Sequence, residues 1–390
     1  MRIGVDATCW QNKRGYGRQG RGLLTALVRL DVENCYTFLI DSIENIENMP
    51  PEAEVRLVRA SAPTAVAASS SGHRSSRDIW HMSRAMSDPS FDLLIFPTIY
   101  SYVPIFRRVK KLVMIHDVIA EIFPHLTLAT QTARLFWKAK VALGRWQADA
   151  IATVSEYSRQ TILKQFKITP ERIFVVGEAS DPVFRVLDNP SPTPQLGSLG
   201  ITSNGRSVVY VGGFSPHKNL ESLITVFAKI ASQRTFSDAH LVMVGQYEKE
   251  VFYSYFKTIK KQVEELGIAG RVIFTGYLTD EEMVVLLNIS TVLVLPSLME
   301  GFGLPAIEAA ACGCPVIATS ASPLPVLLGA GGLYINPTNS EELEMALIRV
   351  LESEKLRSQM REAGVAASRQ LTWEAAAQQM ISVIKKVAPK

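Results

Sequence analysis

The stretch Leu295-Pro296-Ser297-Leu298-Met299-Glu300-Gly301-Phe302-Gly303-Leu304-Pro305-Ala306-Ile307-Glu308 decides how the chain is read. Four apolar residues, Val292–Leu295, form a short buried strand, and a loop with two glycines follows it. A helix then opens with Pro305 in its first turn, where proline is favoured because that N–H has no intrahelical partner. Strand, glycine loop and helix make the repeating unit of a parallel α/β sheet. Glycines let backbone N–H groups approach a phosphate closely, and a helix N-terminus favours negative charge there. The two carboxylates sit at opposite ends of the loop, Glu300 on it and Glu308 about one turn into the helix. A carboxylate accepts hydrogen bonds from vicinal hydroxyls, which suits a ribose and a sugar. In isolation Glu308 would only complement the helix N-terminus.

The same unit recurs outward from this stretch. In the second half, strands are expected at Ser207–Val211, Ala239–Val244, Val272–Phe274 and Pro315–Ala318, with a tight Gly212-Gly213 loop and a helix over Asn219–Ala231. In the first half, Ile3–Ala7, Tyr36–Ile40, Leu93–Phe96, Leu112–Ile115 and Ala150–Val154 read as strands, and Gly20–Leu30 and Ala129–Gln147 as helices. Alternating apolar strands and helices imply parallel, doubly wound α/β sheets. At 390 residues the chain suits two cores rather than one. The Pro- and Gly-rich Asp188–Arg206 reads as a linker, which gives a Rossmann-like domain over 1–185, a linker over 186–206 and a second such domain over 207–372. Ser61–Ser76, rich in Ala and Ser, reads as a loop. An amphipathic helix over Trp373–Val387 closes the chain. Two such sheets facing each other would leave a central cleft at the carboxyl ends of their strands, where open α/β folds bind ligands.

Further segments carry motifs of their own. They are Gly15-Tyr16-Gly17-Arg18 followed by Leu23-Leu24, His116-Asp117, Ala148-Asp149-Ala150 with Val154-Ser155-Glu156, Gly213–Lys218, Gly276-Tyr277-Leu278 and Thr372-Trp373-Glu374. With Glu300–Glu308 they resemble, over nearly the whole chain, the retaining glycosyltransferases of the GT-B fold with an E-x7-E motif. That large group 1, or family 4, type includes bacterial mannosyl- and glucosyltransferases.

The resemblance implies a transfer of a hexose from a nucleotide diphosphate sugar to a glycan or lipid-linked glycan. It implies that Glu308 binds the donor ribose, and that Glu300 with Gly301, Phe302, Gly303 and Leu304 holds the sugar and diphosphate. His116 would contact the sugar, Lys218 the diphosphate, and Tyr277-Leu278 the base. Gly15, Gly17 and Gly213 would bring two glycine loops onto the phosphates. Asp117 is a candidate for the acceptor side, and the closing helix would pack back on the first domain. Pro216 and Lys218-Asn219-Leu220 look like the second loop of many mannosyltransferases, so GDP-mannose is the first donor expected and a UDP-sugar the second. Retention by front-face displacement, aided by the diphosphate, is the implied outcome.

The chemistry agrees with that resemblance. A departing diphosphate needs its charge neutralised by a metal or by fixed cations and N–H dipoles. The sequence has no D-x-D pair, so Lys218 and helix N-termini would do this, with no metal and no cofactor beyond the nucleotide sugar. Two departures stand out. Gly213 occupies the place where the family usually has an arginine, leaving His217, Arg14 or Arg18 as substitutes. Pro325–Ala330 stands where the family often has two acids.

Composition limits the rest. A 47% hydrophobic content with mixed charge is that of a globular protein. The four cysteines form no metal-ligand pattern and read as reduced. No secretory h-region follows Met1, which suits a cytoplasmic protein with peripheral contact at the inner face of the membrane. Residues 1–185 hold 24 Lys/Arg against 18 Asp/Glu, whereas the remainder holds 17 against 19. A basic first half suits an anionic acceptor, an anionic lipid surface or simply a solvated face. No nucleic-acid motif is present. The run Ala133–Trp146 mixes Leu135, Phe136, Trp137, Val141 and Trp146 with Arg134, Lys138, Lys140 and Arg145. It reads as a packing helix with a basic face, and alternatively as a membrane-surface helix.

One rival comes from another class. Gly15, Gly17 and Gly20 spell G-x-G-x-x-G, with Asp41 about where a dinucleotide fold puts its ribose acid. An NAD-dependent oxidoreductase would use both, but Cys9–Arg14 separate the glycines from their strand. A GT-B-fold nucleotide-sugar epimerase is a further alternative.

Overall fold

The computed structural model describes residues 1–12, 15–44, 46–61, 64, 75–203, 205–247 and 254–388. Arg14 and most of Ser61–Ser76 lie outside the described residues. The chain divides into two compact units, Met1–Ala179 with Thr372–Lys390, and Ser180–Leu371.

In the first unit, seven parallel strands run β1 (Arg2–Asp6), β2 (Cys35–Ile40), β3 (Glu54–Leu57), β4 (Leu93–Phe96), β5 (Lys110–Met114), β6 (Ala150–Thr153) and β7 (Ile173–Val175). Their spatial order is β3-β2-β1-β4-β5-β6-β7, every pairing parallel. The order turns back between β1 and β4, so β1 and β4 flank a switch point. The final helix, Trp373–Val387, is capped by the Thr372 side chain and belongs to this unit. Its Trp373, Ala376, Ala377, Met380, Val383 and Ile384 form one buried stripe at helical spacing. Trp373 lies over Gly22, where an added Cβ would come within 2.3 Å of the indole, so the helix Gly15–Leu30 and the last helix pack closely there.

The segment read as a first glycine loop is different in the structure. Gly15 and Gly17 lie inside a helix that runs Gly15–Leu30, not in a loop ahead of a helix beginning at Gly20. A 3-10 turn, Thr8–Gln11, follows β1 and packs on this helix. Gly17 and Gly20 leave room for that turn, because a Cβ would meet the Asn12 carbonyl oxygen at 1.8 Å and the Cys9 sulfur at 2.7 Å, respectively. The tight strand–helix turn of a dinucleotide fingerprint is absent here. Asp41, the rival reading's ribose acid, instead accepts a hydrogen bond from the Thr64 amide at 2.6 Å and another from the Thr64 hydroxyl.

In the second unit, six parallel strands run β8 (Ser207–Val211), β9 (His240–Val244), β10 (Val272–Gly276), β11 (Val292–Leu295), β12 (Val316–Thr319) and β13 (Gly332–Ile335). Their order is β10-β9-β8-β11-β12-β13, again wholly parallel. The switch point falls between β8 and β11. Each side chain of β11 is at most 2% exposed, worth roughly 2 kcal/mol apiece in burial. The change of unit falls at Ala179/Ser180, ahead of the 186–206 segment read as a linker. That segment contains a short helix, Pro194–Ser198, and packs on the second unit through Leu196 and Ile201, both almost fully buried. Proline and glycine mark its turns without making it a tether.

None of the four cysteines is disulfide-bonded, and Cys9, Cys312 and Cys314 are buried. Among the described residues no helix is long and apolar enough to cross a membrane.

Candidate functional site

The loops that leave β8 and β11 meet at the second unit's switch point. The first, after Val211, runs through Gly213 into a 3-10 turn, Pro216–Lys218. Asn219 then takes a left-handed conformation (φ 56°) and starts the helix Leu220–Ala231. The second loop is Pro296–Gly303. Asn219 holds the two together, its Nδ2 donating to the carbonyl oxygens of Pro296 (3.1 Å) and Pro337 (2.8 Å). The Leu298 amide donates to the His217 carbonyl at 2.9 Å.

Across this seam Lys218 Nζ donates to Glu300 Oε1 at 2.7 Å, and Ser297 Oγ donates to the same oxygen at 2.6 Å. Both donors converge on Oε1. Glu300 is only 9% exposed, and a carboxylate taken that far from water needs such charge-assisted bonds. The Glu300 amide donates to the Ala321 carbonyl (3.1 Å), tying the loop to the segment after β12. Ser297 belongs to the quoted stretch, yet nothing in the sequence gave it this role.

Gly303 has φ 86° and caps the helix Leu304–Ala311, with Pro305 in its first turn. A Cβ there would strike Leu324 at 2.8 Å, so two separate constraints demand glycine. Phe302 and Leu304 are buried, and Glu308, inside the helix, is 2% exposed. Gly301 completes the turn beside them. Gly213 supplies only backbone, and its carbonyl accepts from the Tyr210 hydroxyl at 2.5 Å. Tyr277 and Leu278 follow β10 at the sheet edge, after Gly276 (φ 72°), with Tyr277 half exposed and Leu278 buried. Among the described residues no group of acids, histidines and cysteines has the makings of a metal site.

His217 does not replace the missing arginine's charge. Its ring is buried, and burial, with Lys218 beside it, lowers its pKa to about 3. The imidazole is therefore neutral near pH 7. An unfolded histidine titrates near 6.5, so the unfolded chain binds more protons between there and about 3. The stability from this neutral ring is complete above pH 6.5 and is lost as the pH falls towards 3, on the order of 3 kcal/mol. Urea titrations at pH 7 and pH 4 should show that loss in the wild type and a smaller one in His217→Gln. Equal losses would place the acid sensitivity elsewhere.

In the first unit His116 follows β5. Its Nε2 lies 3.3 Å from Gln19 Oε1, and Gln19 Nε2 donates to Met114 Sδ at 3.5 Å. That orientation of the amide makes His116 Nε2 the protonated nitrogen and Nδ1 a bare acceptor, buried and without a hydrogen-bond partner. Burial lowers the His116 pKa to about 4. His116 is thus neutral near pH 7 and unsuited to general acid work there. No motif pointed to Gln19. Asp117 Oδ1 accepts from the Ile119 amide (2.9 Å) just ahead of the short helix Ile119–Ile122. Gly15 opens its helix with nothing near its Cβ position, and Gly17 is pressed on Asn12.

The profile of the family "Glycosyl transferases group 1" matches residues 195–366, within the second unit and across every residue of the β8–β11 seam. A serotype-specific mannosyltransferase WbdA of Escherichia coli is 24% identical over 401 residues, covering 96% of this chain and 46% of its own length. The second unit thus carries the sequence pattern of the group 1 glycosyltransferases. An O-antigen chain mannosyltransferase B of E. coli is 27% identical over 61% of each chain. The match spans 46% of the length of the first of these relatives and 61% of the second. Among solved structures, a sucrose-phosphate synthase from Thermosynechococcus elongatus superposes with a TM-score of 0.75 at 18% identity, covering 99% of this chain and 98% of that one. This likeness shows the GT-B fold of two Rossmann-like domains.

Proposed function

We propose that this group 1 chain transfers a hexose, with retention and without a metal, from a nucleotide diphosphate sugar to a glycan or lipid-linked glycan acceptor. The observation that carries the reading is the convergence of Lys218 and Ser297 on Glu300 at a switch point whose next helix buries Glu308. In this reading Glu308 accepts from the ribose hydroxyls. Glu300, held on one oxygen, offers the other to the transferred sugar, and Lys218 meets the diphosphate as negative charge develops on it. The amides from Gly301 to Leu304 point their donors at the same phosphates. The names of the two E. coli relatives favour mannose as the sugar, and GDP-mannose is the first donor to test. A glycan anchored on lipid would bring the enzyme to a membrane surface peripherally.

The test is slow donor hydrolysis across a panel of GDP- and UDP-sugars, read by mass spectrometry, with NAD as a binding control. One donor should be cleaved selectively, and Glu308→Ala should weaken its binding by roughly tenfold to a hundredfold, the cost of one charge-assisted hydrogen-bond pair. Added EDTA should leave the rate unchanged. Abolition by EDTA would refute metal independence, and an unchanged Kd in Glu308→Ala would remove that residue from the site. Tight NAD binding with no sugar cleaved would overturn the reading as a whole.

A further inference from the structure

The outer edge of the first unit carries a groove that the sites described above do not use. On one side of it is β3, an edge strand, and on the other the helix Ser76–Met86, capped by Ser75 through a bond from the Asp78 amide. Asp78, Met82, Ser83 and Met86 are the buried side of that helix. Arg77, Trp80, His81 and Arg84 therefore share the other side, at helical spacing. The groove holds about 510 Å³ and is lined by Arg56, Val58, Trp80, His81, Arg84 and Asp88. That volume is within the range of small-molecule sites, about 300–1,000 Å³.

Its chemistry combines an open ring with uncompensated positive charge. Trp80 is 53% exposed, and the Arg84 guanidinium stands 5.4 Å from its ring centroid. The electron-rich face of the indole attracts the cation, which holds the two groups together. His81 meets the indole edge-on, 5.4 Å between centroids. Arg56 Nη1 donates to Asp88 Oδ2 at 2.8 Å, so these two charges offset each other and tie the strand to the end of the helix. Arg77 and Arg84 are exposed, and among the described residues neither has an ion-pair partner. The one acid of the helix, Asp78, is buried and accepts from the Ser61 amide at 2.9 Å. The groove is also remote from His116. The Arg2 amide donates to Asp92 at 2.8 Å, so the chain leaving this helix meets β1 at its amino end, whereas open α/β folds bind reactants at the carboxyl ends.

We propose that this groove is a second binding site, for an acidic glycan: a saccharide chain bearing carboxylate or phosphate groups. The C–H face of a sugar ring packs on the indole, and the planar fork of Arg84 takes an anionic substituent through paired hydrogen bonds. Arg77 is seven residues from Arg84, about 10 Å along the helix, which suits a second charge on the same chain rather than a lone small anion. Single-stranded nucleic acid fits less well. Its binders present successive aromatic platforms, and Trp80 is the one large exposed ring lining this groove. A glycan bound here is held away from the reactive end of the sheet, giving a long chain a second hold on the protein. The choice of a glycan as occupant rests on the glycosyl-transfer reading.

Titration calorimetry of the full chain, with no nucleotide sugar present, tests it. The probes are tetragalacturonate, a phosphorylated oligomannoside, neutral maltotetraose, oligothymidylate and inorganic phosphate. At least one acidic saccharide should bind at least about tenfold more tightly than maltotetraose, with a margin that shrinks in salt, and the tighter of the two identifies the anionic group. Arg77→Gln/Arg84→Gln should remove that margin. Trp80→Ala should lower affinity for acidic and neutral saccharides alike, by about fivefold. Both variants alter exposed side chains and should keep the wild-type melting temperature. Equal binding of acidic and neutral saccharides, or unchanged affinity in both variants, would overturn the proposal. So would phosphate or oligothymidylate binding as tightly as the better saccharide, the mark of an indiscriminate cationic patch. Donor hydrolysis should be equal in wild type and Arg77→Gln/Arg84→Gln. Hydrolysis without acidic-glycan binding sinks the groove alone, and glycan binding without hydrolysis of any donor sinks the transferase reading alone.

Discussion

Lys218→Ala is expected to lower kcat/KM for sugar transfer by about a thousandfold, close to 4 kcal/mol at the transition state. The magnitude follows from where the ammonium sits. Lys218 is on a short 3-10 turn fixed by the loop after β8, and its Nζ is held 2.7 Å from a carboxylate that is itself almost out of water. A cation already positioned and partly desolvated needs little reorganisation when charge appears on a departing diphosphate. Its attraction is larger there than in bulk water. Since that charge grows along the reaction, kcat should fall much more than KM rises. The alanine variant also leaves Glu300 with Ser297 alone, so part of the loss will come from a misplaced carboxylate. Lys218→Arg separates the two effects: it restores the charge but replaces a point contact with a planar fork, and should recover only part of the rate. A Lys218→Ala enzyme within about threefold of wild type would refute the electrostatic role.

This pair also shows what the sequence can and cannot disclose. Glu300, Glu308 and Lys218 are each legible from local pattern, since strand, glycine loop and helix announce themselves over a dozen residues. Their meeting is not, because Lys218 and Glu300 are 82 residues apart and only the order β8-β11 makes their loops adjacent. Gln19 and His116, 97 residues apart, meet in the same way through β1, β4 and β5. Nine of the ten strands expected lie inside their sheets, and the tenth, β10, is an edge strand whose apolar Val272–Phe274 still made it legible. Those that escaped, β3, β7 and β13, are edge strands of the two sheets. An edge strand buries one side at most, so Glu54–Leu57 carries no apolar run and Ile173–Val175 is too short to show one. For the helix Gln131–Gln147 the length was readable, but not which side would face the core. Leu, Phe and Trp are commonly inside, and here only Val141 and Gly144 are.

The glycines of the first motif supply the other large expected effect. Gly17→Ala should destabilise the first unit by about 3 kcal/mol or more, whereas Gly15→Ala should be neutral or mildly stabilising. Both glycines are helical, so on propensity alone each alanine would gain up to about 1 kcal/mol. The surroundings reverse the sign at one of them. A Cβ on Gly15 meets nothing within 4 Å. A Cβ on Gly17 would lie 1.8 Å from the Asn12 carbonyl oxygen and 2.6 Å from its carbon, and both are backbone atoms that no rotamer change can move. Asn12 has no freedom to retreat. Its amide donates to the Cys9 carbonyl at 3.0 Å, its carbonyl accepts from Arg21 Nη1 at 2.8 Å, and the residue is 5% exposed. Relieving the clash therefore means breaking the Arg21 bond and lifting the Thr8–Gln11 turn off the helix. Urea melts of the two variants decide between two meanings of the same motif. If Gly17 serves packing, Gly17→Ala loses stability and Gly15→Ala does not. If both glycines serve close approach to a phosphate, both variants should keep wild-type stability and lose donor affinity together.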